Sequence, residues 1–337
     1  MARKVKWLIG VIVAVMALWS VLWYGASVAA GKVLDRVERR SVEMGRDVRC
    51  ENRTVSGFPF HIEVSCGQAG LDAQEQGIAA DVDAVRSVAL LYNPGLVITE
   101  ADGPLTIKLS PAAGLTGELT GRWKTARSSV SAGLSGLKRA SFVAEDVILS
   151  TTARTGLAGL EQVSLKDAQL HLRPNPEVPA DFDVALTVSD MLTTRFGGEL
   201  PTMDLRLLAT AGNVGEALGF DPEMLIRTWL DNGGALDVES ARFSSLGFSA
   251  NASGPVTISE DGLVSGKVRL EISGMEKFPD LVAAVAPQYR DDAEQIASTF
   301  KSFSTDTKDG KVVISLFLRN GMVSAGLLPI GRIPNLF

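Results

Sequence analysis

The chain has 337 residues, 46% of them hydrophobic and 21% charged, and a formal net charge of -6. That composition excludes a disordered protein and leaves room for one large domain or two of ordinary size. Arg3, Lys4 and Lys6 all precede the first apolar run, so the rest is more acidic still. No nucleic acid partner is expected, because phosphate neutralisation needs clustered Lys and Arg.

From Trp7 to Gly31 the sequence carries no charge. About 20 apolar residues cross a bilayer as a helix, so this run is long enough. Trp7 lies near one end and Trp23 and Tyr24 towards the other, as interfacial aromatic anchors do. With the positive charges leading, the positive-inside bias predicts a single-pass inner-membrane protein, its N-terminus cytoplasmic and its body periplasmic. A cleaved signal peptide competes, with Val28-Ala29-Ala30 as the small-residue cleavage site. Signal apolar regions usually run about 7 to 15 residues, shorter than this one. Either reading exports the body. The division expected is a head and anchor over 1–31, a helical stalk over 32–47 and a β-rich body over 48–337.

Both cysteines fall in one short stretch, "CENRTVSGFPFHIEVSC", residues 50 to 66. Exported thiols near one another normally pair. Residues 60 to 65 alternate apolar and polar, the pattern of a half-buried strand. Gly57-Phe58-Pro59 supplies a turn from an earlier strand near Val48 to Val55, so Cys50 is expected opposite Cys66 across an antiparallel pair. A loop of about 15 residues closed this way gains roughly 3 kcal/mol in the entropic account. A redox-active pair is the alternative, but the Cys-x-x-Cys spacing is missing.

Strand signals dominate the remainder. Residues 103 to 110 alternate. Residues 254 to 273 read as two strands joined at Glu260-Asp261-Gly262, and Asn320-Gly321 marks a terminal hairpin. Further strands are predicted at 142–149, 163–172, 182–188, 204–209 and 236–243. Asp221-Pro222-Glu223 opens a helix that Asn232-Gly233-Gly234 ends. A second helical stretch spans about 279–303, broken near Pro287. Asp291-Asp292 and Asp81/Asp83 read as solvated positions on helix or loop. "ADGPLTIKLS" at 101 echoes "ASGPVTISED" at 252, so either shared turn chemistry or two related halves, 48–215 and 235–337 joined by the 221–232 helix, explains the pair. The predicted fold is mainly β: an N-terminal transmembrane helix, then curved antiparallel sheets with a few covering helices.

Catalytic motifs are missing. There is no P-loop, no Gly-x-Ser-x-Gly elbow and no His-Glu-x-x-His. His61 and His171 occupy polar strand positions without a partnering motif. Two histidines and two cysteines leave little for a protein-only metal site, and neither a metal nor a cofactor is expected.

The cysteine-flanked Gly-Phe-Pro-Phe turn with its alternating strand resembles an uncharacterised family of alphaproteobacterial envelope proteins, domain of unknown function 2125. The ending "VVISLFLRNGMVSAGLLPIGRIPNLF" is similar to that family's close, where a last hairpin leads into Gly-x-x-Pro. The resemblance implies no activity and no catalytic residues. A more distant similarity is to AsmA-like envelope proteins, thought to handle lipids along a curved sheet, and it is analogy only.

Two functions fit. One is a membrane-tethered protein that binds lipid or another hydrophobic ligand in a groove. Ile107, Leu109, Val256, Ile258, Leu270, Ile314, Leu316, Phe317 and Leu318 are its candidate lining, because apolar residues recur there at period two. A strand covered on both faces is equally apolar. The other is an envelope assembly factor that binds proteins at its exposed sheet edges.

Overall fold

The computed structural model of the chain describes residues 2–114, 116–133, 136–152, 160–195, 198–214, 222–302, 311–326 and 328–336. The chain divides into two compact units, Met1–Ala132 with Leu149–Gly159 and Gly133–Ile148 with Leu160–Phe337. The halves 48–215 and 235–337 are a different division. Nineteen strands lie among the described residues and pair antiparallel, so the chain is mainly β as expected.

The first unit opens with α1 (Ala2–Glu43), one unbroken helix that takes in both the apolar run and the segment read as a separate stalk. Eight strands follow: β1 (Asp47–Glu51), β2 (Thr54–Ser56), β3 (His61–Cys66), β4 (Gln68–Ala73), β5 (Ile78–Leu90), β6 (Asn93–Leu109), β7 (Gly117–Arg122) and β8 (Thr125–Gly133). β5 and β6 form a long central pair, and each also meets two shorter strands end to end. β5 takes β4 along residues 78–82 and β3 along 85–90; β6 takes β7 along 105–109 and β8 along 96–100. Asp81 and Asp83 therefore lie in a strand rather than in a helix or loop, and Asp81 meets Arg49 at 3.2 Å.

Cys50 and Cys66 form the expected disulfide, with Cα atoms 5.1 Å apart. They are not opposite one another. Cys50 pairs with Ala69, and Cys66 falls between the Glu51–Gln68 and Thr54–Ser65 pairs. Asn52 adopts a left-handed φ of 51°, which interrupts the strand between β1 and β2. The disulfide thus staples the hairpin diagonally across its one interruption, where ladder hydrogen bonds are lost.

α1 lies along this hairpin. The Trp19 Nε1–H donates to the Pro59 carbonyl at 2.7 Å and the Trp23 Nε1–H to that of His61 at 2.8 Å. The Trp23 and Phe58 rings meet edge to face, 5.6 Å between centroids. Further along the helix, Arg53 binds Asp35 at 2.8 Å and Glu38 at 3.7 Å. The residues read as a stalk are therefore held against the first strands.

The second unit is a meander: β9 (Gly136–Thr151, residues up to Ile148 in this unit), β10 (Leu160–Pro174), β11 (Phe182–Arg195), the short β12 (Gly198–Glu199), β13 (Met203–Ala211), α2 (Pro222–Asp231), β14 (Ala235–Ser245), β15 (Phe248–Ile258), β16 (Val264–Ser273), α3 (Phe278–Val285), α4 (Arg290–Ser302), β17 (Val312–Arg319), β18 (Met322–Ala325) and β19 (Leu328–Arg332). Apart from the short β12, each strand pairs with the next. The hairpins at Gly262 and at Asn320-Gly321 form as expected; Asn320 and Gly321 take φ of 48° and 79°, the primed turn that matches strand twist. Pro222 opens α2 as predicted, while its cap Asp221 lies outside the described residues. The 279–303 stretch breaks at Pro287 into α3 and α4, which Arg290 ties together through Asp280 at 2.9 Å.

α3 and α4 cover one face of the sheet. Phe248, Ile272, Met275, Ala297, Val312 and Ile314 form the buried cluster there, with Phe278 and Leu281 of α3 packed against it. Small residues at Ala293 and Ala297 let α4 approach the strands closely.

The Ala-x-Gly-Pro echo has a local explanation. Each copy sits inside a strand, and the partner ladder slips opposite it, between Val82 and Ala84 in one and between Val238 and Ala241 in the other. Proline cannot donate to a ladder, so a mid-strand Gly-Pro belongs at a bulge.

Candidate functional site

Past the buried cluster, α4 and the last strands diverge and leave an apolar groove of about 780 Å³. Ile296 and Phe300 of α4 form one wall. Ile314 of β17 with Ala325, Leu328, Pro329 and Ile330 at β18 and β19 form the floor and the other wall. On α4 Ala293 and Ala297 are buried on the core, Phe300 both packs on the buried cluster and lines the groove, and Ile296, four residues before it, is exposed at the groove. Asp292, Gln295, Thr299 and Ser315 supply polar groups. Thr299 donates its hydroxyl to the Gln295 carbonyl at 2.8 Å, a bond within the helix. A concave, mostly apolar site of this size with a few polar groups suits a small hydrophobic molecule or chain.

The nine candidate lining residues are dispersed. Ile107 and Leu109 lie half-buried in β6 of the first unit. Val256 and Ile258 are half-buried in β15, opposite Gly266 and Val264. Leu270 faces Ile314 across β16 and β17 and packs on the buried cluster, as does Leu316. Leu318 is half-buried opposite Val323. Phe317 points to the other face, 44% exposed, with the Lys267 ammonium 5.6 Å from its ring centroid. Only Ile314 of the nine lines the groove. Period-two alternation finds strand faces, but the opening is made by a helix standing off from them. The sequence signal was a pair of apolar residues, Ile296 and Phe300, in the otherwise polar "YRDDAEQIASTFKSF", and the terminal apolar run 327–330 that does not alternate.

A second concavity of this unit, about 540 Å³, is of mixed polarity and includes His171, Arg173, Asp183 and Glu239. His171 is half-buried, its Nδ1 2.9 Å from the Ser141 hydroxyl and its Nε2 3.3 Å from the Gln169 amide oxygen. The imidazole is thus held between a hydroxyl and an amide oxygen. Burial pushes the Asp183 carboxyl up, but hydrogen bonds from Asn175, Arg173 and Thr210 outweigh it and hold the group below its ordinary value. Its oxygens serve the fold. His61, in the other unit, lies 4.0 Å from Glu63.

The fold and groove define a β-rich protein with one N-terminal helix long and apolar enough to cross a membrane. The helix suggests a membrane anchor, and the disulfide an oxidising compartment. The chain belongs to the family described as uncharacterised protein conserved in bacteria, domain of unknown function 2125, the match spanning residues 23–334. No curated protein and no solved structure matches the chain. The comparisons lend no support to the wider likeness to AsmA-like proteins.

Proposed function

We propose that the protein is anchored by α1 in the inner membrane, with its strands on the periplasmic side, and holds the acyl chain of a lipid in the groove between α4 and β17–β19. The observation that carries this reading is the groove itself, a concave surface that presents Ile296, Leu328 and Ile330 to solvent in a chain with a helix long and apolar enough to cross a bilayer. An acyl chain entering it would bury apolar area at about 25 cal/mol per Å². Arg3, Lys4 and Lys6 support the orientation through the positive-inside bias. The competing role, protein assembly by strand addition, has less to work with at the terminal edge. β19 is five residues long and contains Pro329, both features that blunt an edge.

The test uses the full-length protein in detergent with a phosphatidylcholine that carries a diazirine on its acyl chain. After illumination, peptide mapping should place adducts on residues 290–302 and 312–332. Adducts confined to residues 2–31 would reject the groove as the acyl site.

A further inference from the structure

The Gly-Phe-Pro-Phe turn between β2 and β3 takes no part in the groove, yet it exposes two large aromatic side chains, Phe58 at 57% and Phe60 at 64%. The turn between β5 and β6 adjoins it, since the Leu91 N–H donates to the Phe60 carbonyl at 3.0 Å, and adds Tyr92 at 72%. Together they make an exposed aromatic patch at one end of the first unit.

α1 fixes the depth of that patch. A hydrocarbon core takes about 20 helical residues, and the uncharged run is Trp7 to Gly31. The extreme placements of a span within it are about 7–26 and 12–31, and both contain Trp19 and Trp23. These two residues are the ones whose indoles bind the carbonyls of Pro59 and His61. A turn bonded to the helix at that level lies at hydrocarbon depth.

Four carbonyls at the turn find partners within the protein, whereas the Phe58 N–H and C=O make no hydrogen bond there among the described residues. Irregular chain survives in hydrocarbon only where its polar groups find partners within the protein. The Gly57 carbonyl accepts from Phe60 and His61 N–H, that of Phe60 from Leu91, and those of Pro59 and His61 from the two tryptophans. Pro59 has no N–H to satisfy. A Cβ at Gly57, whose φ is 105°, would lie 2.7 Å from the His61 carbonyl oxygen, so the tight turn needs glycine. Along β3, Glu63 stands three residues beyond Phe60, about 10 Å at strand rise, which brings the first carboxylate back towards the headgroups. On α1, the Arg53 partners Asp35 and Glu38 lie past the apolar run altogether.

We propose that the turn Gly57–Phe60, with Tyr92 beside it, is seated among the acyl chains of the leaflet on the strand side, as a second membrane attachment of the first unit. The attachment rests on α1 crossing a bilayer, and not on the groove. The tryptophans near that end of the span act as internal donors to the inserted turn rather than as headgroup anchors.

The test places the photoreactive residue p-benzoylphenylalanine at 58, at 60 and, as a reference inside the span, at Val13, in full-length protein reconstituted into phosphatidylcholine vesicles. Phe58 and Phe60 are exposed, so one aromatic side chain replaces another without disturbing the core. Acyl-chain adducts at 13 and at both turn positions are expected, those at the turn within about threefold of the reference. Adducts at 13 with none at 58 and 60 would overturn the inserted turn and leave the anchor standing. No adduct at 13 would remove the anchor and the turn with it.

Discussion

Cys50 and Cys66 show how much one covalent bond can do when the ladder around it fails. Strand pairing lapses at Asn52 and Arg53, and the disulfide, whose ends are 16 positions apart in sequence, crosses that lapse. Cys50→Ser should lower unfolding free energy by about 2 to 5 kcal/mol in denaturant titrations, less if the rest of the first unit holds the hairpin. Equal midpoints for variant and parent would show that the bridge is redundant. Ile314 and Phe317, three apart on β17, make a second contrast. Ile314 is 6% exposed in the buried cluster, so Ile314→Asp should prevent folding by leaving an unpaired charge in the core. Phe317 faces out beside Lys267, and Phe317→Asp should fold with a circular dichroism spectrum and melting temperature close to the parent's. Collapse of both variants would place that strand between two covered faces.

Among the elements, β5, β6 and β8 are cross-linked by one carboxylate. Glu100 of β6 accepts from Arg86 of β5 at 2.8 Å and from Arg127 Nε of β8 at 2.7 Å, each its register partner. The hydrogen bond from Arg86, then that from Arg127, holds the carboxyl below its ordinary value of 4.5. A group depressed in the folded state contributes stability that is full above its unfolded pKa and lost as pH falls through the folded one. Melting temperature should therefore drop as pH falls below about 4.5, and Glu100→Gln should be less sensitive across the same window. Identical acid arms would remove Glu100 from the account.

Those same strands mark where the sequence stops being legible. Hairpins with Gly262 and Asn320-Gly321 are readable because a turn needing positive φ names its own residues. "IAADVDAVRSVAL" in β5 and "QAGLDA" in β4 are rich in alanine and aspartate, poor strand formers, and are strands because long neighbours pair with them. The groove was hidden for a related reason. Strand alternation puts Ile314 and Leu316 on one face of β17 and Phe317 on the other without saying which is core, and whether α4 seals a face or stands away from it depends on Ala293 and Ala297 packing while Ile296 does not.

At the scale of the whole molecule, one chain carries both a helix able to cross a membrane and an acyl-sized groove within the second unit. If the strands are periplasmic, a reporter active only in the cytoplasm, fused after Phe337, should be silent. An active reporter would invert the topology. The central claim is that lipid occupies the groove, and native mass spectrometry of the full-length protein, released from membranes and compared with Ile296→Asp and Phe317→Asp, tests it most directly. Lipid carried by α1 is common to all three proteins and cancels in the comparison. Ile296 is exposed at the groove wall and Phe317 on the opposite face, so both variants should fold. The parent and Phe317→Asp should retain one additional acyl lipid, and Ile296→Asp should lose it by at least about tenfold, the effect of roughly 1.4 kcal/mol. Equal lipid on all three, or none beyond that of the anchor on any, would contradict the account.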